Sequence, residues 1–293
     1  MIGIDWGTSS LRAYRLAGDG RILARRESAG GILHVPPGGF AGALREAVGE
    51  WLAAGETRVL MAGMVGSRQG WVEAPYLPCP AGAAELARAL VAVPFEGAAV
   101  RLVPGLSGTD AAGTDAAGTP EVMRGEETQI ISSAARGLAC LPGSHAKWAR
   151  VEAGRILSFR TYLSGEAFAA LRAGTILGRM MTGEADDPDA FDAGLARAAE
   201  PGHLLHHLFG VRALGLFGRL PDTASAAYLS GLLIGHEVRA EAPAGQAVHL
   251  IGAPALCARY ARAIAASGGT AVLEAADAAA AGLARIAELA DWT

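Results

Sequence analysis

Short apolar runs of strand length open the chain, and a run with helical spacing follows them. The pattern predicts a first strand that ends near Asp5, a second over Leu11–Leu16 and a third over Arg21–Glu27. The run Phe40–Ala54 carries its apolar residues at helical spacing, and Arg58–Gly63 is again a short apolar strand. The first part of the chain is therefore expected to form an α/β domain.

The same order begins again in the second half of the chain. A strand, a Gly/Ser turn and a strand are predicted within Leu138–Val151, and Arg155–Arg160 is expected to pair with them. Three strands, a helix and a further strand form the order of an RNase H-like domain. The recurrence predicts two duplicated α/β domains of this kind, one at residues 1–136 and the other at residues 137–293.

The remaining sequence patterns predict further helices, strands and loops. Helices are predicted at Pro80–Leu90, from Glu126, and at Ser164–Leu177, Leu195–Leu208, Tyr228–Val238, Leu256–Ala266 and Asp277–Leu289. Strands are predicted at Ala98–Val103, Val248–Ile251 and Ala271–Leu273, and an acidic loop at Ala185–Asp192. The pentad Asp-Ala-Ala-Gly-Thr is repeated in tandem before Thr119; a low-complexity expansion in a loop explains it better than a phosphate-binding loop does.

Composition narrows the class of protein. Of the 293 residues, 51% are hydrophobic and only 18% are charged, which favours a folded globular protein. The net charge of -4 gives no general attraction to nucleic acid or to an anionic membrane. Three widely spaced cysteines, and the lack of a signal-peptide pattern or a long apolar run, lead us to expect a reduced cytoplasmic protein, either a monomer or a homodimer.

Candidate chemistry begins in the first turn. Asp5 ends a strand, and Gly7, Thr8 and Ser9 follow it before the next strand. Glycine lets backbone N–H groups approach a phosphate, hydroxyl groups add donors, and a carboxylate can hold Mg²⁺. The turn therefore suggests a phosphate loop, although an ordinary polar hairpin has the same composition.

Two further turns and a helix start carry candidate groups. Glu126 and Glu127 follow Gly125 at the start of a helix; they either complement the helix macrodipole or supply a general base. Gly143 and Ser144 occupy, in the second half, the place of Gly7 and Thr8 in the first. For the adjacent His145 a hydrogen-bonding or packing role is favoured over a metal site, and for the cluster of His203, His206 and His207 a solvated helix end is favoured.

Several longer strings resemble the 2-dehydro-3-deoxygalactonokinase family, which is part of the actin-like and sugar-kinase ATPase superfamily. The strings Gly3–Ser10, Val122–Gln129 and Leu141–Trp148 carry the resemblance, and Thr161–Glu166 and Leu250–Leu256 support it. The chain departs from the family pattern at Ala146, where a hydroxyl side chain is usual, and the tandem repeat is not part of the pattern.

The resemblance implies a fold and an activity. It implies an actin-like, two-domain fold with an active-site cleft between the domains. It also implies an ATP- and Mg²⁺-dependent kinase that phosphorylates the terminal hydroxyl of a six-carbon 2-keto-3-deoxy sugar acid. The rival interpretations are a kinase of another sugar acid and a non-catalytic ATP-binding sensor; the intact glutamate pair favours a kinase.

Roles follow from this resemblance. Asp5 is expected to hold Mg²⁺, and either Glu126 or Glu127 to accept the proton of the substrate hydroxyl. The expected ATP-binding residues are Gly7, Thr8, Ser9, Arg12, Gly143, Ser144, Lys147 and, at the adenine, Gly252. For Lys147, an ordinary position on the strand surface is the favoured alternative. A substrate carboxylate favours a bidentate arginine, with Arg68 the first candidate and Arg124 the second. The remaining expected substrate-binding residues are Ser67, Trp71, Glu73 and Tyr76, of which the two aromatic residues could instead pack the loop.

Overall fold

The structure, a computed structural model, describes residues 1–110, 118–133, 136–275 and 277–292. Most of the tandem repeat lies outside these residues. The chain forms two units: the first contains Met1–Arg136, Ala149–Arg160 and Ala275–Thr293, and the second contains Gly137–Trp148 and Thr161–Glu274. The predicted boundary after residue 136 coincides with one of these divisions, whereas a hairpin and the C-terminal segment group with the first unit. The limits of the two domains remain a prediction.

The elements are numbered along the chain. The strands are β1 Ile2–Trp6, β2 Leu11–Leu16, β3 Ile22–Ser28, β4 Arg58–Ala62, β5 Tyr76–Pro78, β6 Ala81–Gly82, β7 Val91–Val93, β8 Ala99–Leu102, β9 Gly105–Asp110, β10 Thr119–Met123, β11 Gly137–Leu141, β12 Ala146–Glu152, β13 Arg155–Tyr162, β14 Ala247–Leu250 and β15 Thr270–Leu273. The helices are α1 Phe40–Ala53, α2 Ala83–Arg88, α3 Glu126–Ser132, α4 Ser164–Gly174, α5 Pro188–Ala199, α6 Leu204–Leu216, α7 Ser225–Ala240, α8 Pro254–Ala266 and α9 Ala278–Leu289.

The first unit is built on a sheet with the order β3-β2-β1-β4-β8-β7. Strand β2 is antiparallel to β1 and β3, whereas β4 is parallel to both β1 and β8. Ile2, Ile4 and Trp6 on β1 are fully buried, and Leu44 and Val48 of α1 belong to the same core cluster. The predicted arrangement of three strands, a helix and a further strand is confirmed here.

The strands after residue 136 repeat this order. Their sheet runs β15-β14-β11-β12-β13-β6, and β14 is parallel to both β11 and β15. The order β13-β12-β11-β14-β15 therefore matches β3-β2-β1-β4-β8. The predicted duplication of the α/β fold is confirmed at the level of strand order.

Helix α9 packs within the first unit. Its Gly282 lies against the backbone of α3, where an added Cβ would come 1.8 Å from the carbonyl oxygen of Thr128. Only a residue without a side chain allows this approach. The close packing explains why the C-terminal segment groups with the first unit.

The small sheet β10-β9-β5 was not expected from the sequence. Gly105 on β9 has no room for a side chain, because a Cβ would lie 2.5 Å from the carbonyl oxygen of Met123. The predicted helix at Pro80–Leu90 is also shorter in the structure, because Ala81 and Gly82 pair with β13 and the helix begins only at Ala83.

The prediction for residues 185–208 is wrong. A helix, α5, begins at Pro188, because Asp187 caps it by accepting the N–H groups of Asp189 and Ala190 and because proline suits the first helical position. The chain then breaks at Pro201-Gly202, and α6 starts at Leu204. His207, expected at a solvated helix end, is fully buried, with its Nδ1 3.0 Å from Nε2 of His236.

None of the helices in the described part of the chain has both the length and the apolar character needed to span a bilayer.

Candidate functional site

Asp5 lies at the carboxyl end of β1, where open α/β sheets bind ligands. The residue exposes only 7% of its surface, and Arg12 Nη2 lies 2.8 Å from its Oδ2. Burial raises the pKa of this carboxyl, and the Arg12 charge partly offsets that rise. Within the described residues, Oδ2 has no partner with hydrogen-bond geometry in spite of this ion pair. The oxygen is thus suited to a cation.

The turn after β1 exposes hydroxyl groups, whereas its first backbone N–H, that of Gly7, is bonded within the turn. Gly7 donates its N–H to Ser10 O at 2.9 Å, so this donor is already occupied within the turn. Gly31 packs on the turn so closely that a Cβ would lie 2.4 Å from Ser9 N. Thr8 and Ser9 are exposed. Their hydroxyl groups, rather than the N–H of Gly7, are therefore available to a phosphate.

Two glycines bring the ends of β1 and β4 to the start of α3. Gly63 has φ +96°, and a Cβ there would lie 2.8 Å from Trp6 O and 3.4 Å from Asp5 Oδ1. Gly125 has φ +111°, and its Cβ would lie 3.1 Å from Gly63 Cα. Both backbone conformations and both close approaches require glycine. Asp5 and the paired glutamates are thereby held in one region of the first unit.

The two glutamates of the pair have different environments. Glu127 is fully buried, and its Oε1 and Oε2 lie 2.9 and 2.7 Å from the N–H of Gly125, which they accept. Burial, and to a smaller extent the charge of Glu126, raises the pKa of Glu127 to about 8. Glu126 is only half-buried and accepts the N–H of Arg124 at 3.0 Å. At neutral pH, Glu127 is thus mainly protonated.

Arg124 is buried beside this pair. It exposes 9% of its surface, its Nη2 donates to Ala74 O at 2.8 Å, and its guanidinium carbon lies 4.2 Å from the centre of the Tyr76 ring. In the described residues no acceptor bonds its Nε or Nη1. The hydroxyl of Ser67 is likewise buried without a partner.

The other predicted substrate-binding residues are either exposed or packed in the core of the first unit. Arg68 and Glu73 are exposed. Trp71 is stacked on Phe40 at 6.1 Å and meets Phe95 edge-on at 6.2 Å, so it packs against the core of the first unit. The structure supports the packing interpretation for Trp71.

In the second unit, the Gly143–Ser144 turn rests on the first turn of α4. Gly165 allows the contact, because a Cβ there would lie 2.4 Å from Gly143 O and 2.7 Å from Ser144 Cα. Glu166 donates its N–H to Ser144 O at 3.0 Å, and its carboxylate Oε2 lies 2.5 Å from His145 Nε2. The expected hydrogen-bonding role of His145 is consistent with this pair.

Lys147 is buried in the second unit rather than on a strand surface. Its Nζ donates to Thr161 Oγ1 at 2.9 Å. The neighbouring Trp148 donates its indole N–H to Glu237, which also accepts the hydroxyl of Tyr260. These bonds fix the strand that follows the Gly143–Ser144 turn.

Gly252 follows β14 with φ +154°, and a Cβ there would lie 3.6 Å from Pro142 O. The backbone at this position is exposed and lacks a side chain. A backbone without a Cβ leaves room for a ligand ring, and the adenine site at Gly252 stays a prediction.

Sequence reasoning missed several positioning residues. Gly31, Gly63 and Gly165 each allow a close backbone contact, and Glu166 pairs with His145. A glycine directly after a short apolar strand, as at Gly63, was the available signal. The other contacts join segments distant in sequence and carry no local pattern.

The described residues include no cluster of three or more His, Cys, Asp or Glu side chains that could hold a metal ion. A divalent cation at Asp5 would therefore draw most of its ligands from water and phosphate oxygens, as Mg²⁺ commonly does. The buried Oδ2 of Asp5, which is ion-paired with Arg12 but has no hydrogen-bond partner among the described residues, fits such an ion.

Comparisons with known proteins show which family the chain is similar to. The family profile described as 2-keto-3-deoxy-galactonokinase matches residues 5–286. The 2-dehydro-3-deoxygalactonokinase of Escherichia coli (strain K12) is 37% identical over 273 residues, covering 91% of this chain and 90% of that protein. A crystal structure from Sinorhizobium meliloti, whose name assigns it provisionally to the same enzymes, has a TM-score of 0.85 and 35% identity over 98% of this chain and 97% of that one.

A more distant similarity bears on the fold alone. The activator of 2-hydroxyisocaproyl-CoA dehydratase from Clostridium difficile, solved with bound ADPNP, has a TM-score of 0.52 at 12% identity, covering 99% of this chain and 93% of that one. Together with the strand order, these similarities confirm the predicted α/β fold class of the actin-like and sugar-kinase ATPases.

Proposed function

The chain belongs to the 2-keto-3-deoxy-galactonokinase family, and from this premise we propose that it transfers the γ-phosphoryl group of ATP to the 6-hydroxyl of 2-dehydro-3-deoxy-D-galactonate. The observation that carries the proposal is the family match over nearly the whole chain, which includes the region where Asp5, Gly63 and Gly125 meet. The products are ADP and 2-dehydro-3-deoxy-6-phosphogalactonate. The protein would thus be a cytoplasmic enzyme of galactonate catabolism with a small-molecule substrate.

Asp5 would hold Mg²⁺. Its buried carboxylate oxygen without a hydrogen-bond partner supports this role. When bound, the ion supplies positive charge that neutralises the phosphate oxygens of ATP. Arg12, paired with the same carboxylate, adds a second positive charge toward the γ-phosphate.

Glu126 would accept the proton of the 6-hydroxyl, and Glu127 would position Glu126. A general base must be ionised and reachable. Glu126 is half-buried, whereas Glu127 is fully buried with both oxygens directed at the N–H of Gly125. As the proton passes to the Glu126 carboxylate, the hydroxyl oxygen forms a bond to the γ-phosphorus and the bond to the ADP oxygen breaks.

The remaining predicted residues would bind the nucleotide. Thr8 and Ser9 would donate their hydroxyl groups to the γ-phosphate from the turn built around Gly7, and Gly143 with Ser144 would bind the β-phosphate. Lys147, bonded to Thr161, supports the second turn from its strand. Gly252 would lie against the adenine ring.

The first alternative is a kinase of another sugar acid, such as 2-keto-3-deoxygluconate. The second is an ATP-binding sensor without turnover. The two glutamates at the start of α3 favour a kinase over a sensor, because ATP binding alone needs no base.

The test is ADP release by the purified protein with Mg·ATP, coupled to NADH oxidation. The substrates are 2-keto-3-deoxygalactonate, 2-keto-3-deoxygluconate, galactonate, glycerol and xylulose. We expect turnover confined to the 2-keto-3-deoxy acids and fastest with the galacto epimer. Faster turnover of the gluco epimer would favour the first alternative. ATP binding without turnover of any compound would favour the sensor.

A further inference from the structure

We infer that Arg124, and not the more exposed Arg68, is the residue that binds the carboxylate of the sugar acid. The inference rests on the proposed function and assigns the part of the site that would select acids over neutral sugars.

The guanidinium is a buried cation with unused donors. Arg124 exposes 9% of its surface, and among the described residues no acceptor bonds its Nε or Nη1. Its charge opposes the rise in the pKa of Glu127, but that carboxyl is directed at the N–H of Gly125 and forms no ion pair with Arg124. A buried cation is costly without an anion, and arginine cannot reduce this cost by losing its proton. Such a residue is suited to bind an anionic ligand.

The surroundings hold the guanidinium in one orientation. Its plane packs over the Tyr76 ring at 4.2 Å, and its Nη2 is fixed by the carbonyl oxygen of Ala74. Gly66 packs against the Nη1 edge, and because a Cβ at that position would lie 3.3 Å from Nη1, the glycine keeps a side chain away from this edge. A preorganised arginine loses little entropy when it binds a carboxylate.

The position of Arg124 in the chain suits a six-carbon acid. It is two residues from Glu126, and its own N–H donates to the Glu126 carboxylate at 3.0 Å. The carboxylate and the 6-hydroxyl are at opposite ends of the substrate, so one short backbone segment would serve both ends. The hydroxyl of Ser67, buried without a partner next to Gly66, would be a second donor to the same carboxylate.

Arg68 lacks these properties. It is exposed, and an ion pair in water contributes little binding energy. The anion at Arg124 could in chemical terms also be a phosphate of ATP. The experiment must therefore measure the two ligands separately.

The experiment is isothermal titration of the full-length protein with 2-dehydro-3-deoxy-D-galactonate in the absence of nucleotide, and separately with ATP. The variants are R124Q and R124K, with R68Q as the competing assignment. R88Q is the matched control, because Arg88 is an exposed arginine on α2 of the same unit. Circular dichroism shows whether each variant is folded, and R124K keeps the charge if R124Q does not fold.

We expect R124Q to weaken sugar-acid binding by about 100-fold and R124K by about 10-fold, because both lose the paired donors of the guanidinium. ATP binding of these variants should stay within about threefold of that of the wild type, a difference of less than 1 kcal/mol. R88Q should match the wild type for both ligands.

Unchanged sugar-acid binding in R124Q and R124K would overturn the inference. A loss of ATP binding in these variants instead would reassign Arg124 to a phosphate of ATP. A loss of sugar-acid binding in R68Q alone would show that Arg68 binds the carboxylate. The inference and the proposed function can fail separately. If the wild type binds the sugar acid through Arg124 but does not phosphorylate it, only the proposed function is wrong.

Discussion

Both carboxyl oxygens of Glu127 lie within 3 Å of the backbone N–H of Gly125, at 2.9 and 2.7 Å. Glu127 thus satisfies a donor at the start of α3, which helix termini otherwise leave unpaired. The contact also holds Gly125 in a left-handed conformation with φ +111°. Glu126, which lies between these two residues in sequence, instead accepts the N–H of Arg124 at 3.0 Å.

The first prediction concerns the pH dependence of stability. The pKa of Glu127 is about 8 in the folded protein, against 4.5 for an ordinary glutamate. Between pH 4.5 and about pH 8, the Glu127 carboxyl therefore carries a proton in the folded protein but not in the unfolded protein. The free energy of unfolding falls as the pH rises through this window. E127Q, which resembles the protonated acid, should lose this dependence. It should unfold near the wild-type temperature at about pH 5 and at a higher temperature than wild type at about pH 8.

The measurement is the melting temperature of both proteins across this window, with EDTA present and without nucleotide. Parallel curves for wild type and E127Q would show that Glu127 titrates normally.

The second prediction concerns the base. E126Q should lower kcat by about 10²- to 10⁴-fold, because an amide cannot accept the hydroxyl proton. Its KM for ATP should change little. The matched variant E127Q should lose less, since Glu127 holds the start of the helix and does not accept the proton. Steady-state kinetics of both variants decide this, and a larger loss in E127Q than in E126Q would exchange the two roles.

The third prediction concerns the cation. D5N should remain folded and lower turnover by orders of magnitude, because an amide binds Mg²⁺ more weakly than a carboxylate does. A readout independent of turnover is ATP affinity with and without Mg²⁺. We expect Mg²⁺ to strengthen ATP binding to the wild type and to have a smaller effect in D5N. Equal Mg²⁺ effects in the two proteins would refute the assignment of Asp5.

The fourth prediction concerns the Gly143–Ser144 turn. G165A should destabilise the protein by about 1–3 kcal/mol, because the new Cβ would lie 2.4 Å from Gly143 O. It should also weaken ATP binding by displacing the turn. The control is G210A on α6, where a Cβ meets nothing within 4 Å and where alanine favours a helix. Urea unfolding and ATP titration of both variants test this, and wild-type ATP affinity in a folded G165A would count against a role of this turn.

The sequence was sufficient where the signal is local. The first strand, Asp5 at its end and the turn after it follow one another within ten residues. The same sequence pattern occurs in both halves of the chain, and both halves form the same strand order. These features were predicted because alternation, turn residues and helix starts depend on neighbours in the chain. The start of α5 could also have been predicted from Asp187 and Pro188, which are a standard helix start.

The remaining features depend on distant contacts. Composition does not distinguish Glu126 from Glu127, and only packing shows that Glu127 is fully buried. Similarly, Arg68 and Arg124 both lie in glycine-flanked segments, and the structure separates them by burial and by the Tyr76 ring. The sheet β10-β9-β5 was missed because its pairing depends on Gly105 lying against Met123.

The most direct test is the position of the phosphate on the product. The wild-type protein is incubated with Mg·ATP and 2-dehydro-3-deoxy-D-galactonate, and the product is examined by ³¹P–¹H correlation NMR. We expect a single phosphate ester coupled to the protons on carbon 6, formed in equal amount to ADP. Inorganic phosphate as the main product, or an ester at another carbon, would contradict the proposed reaction.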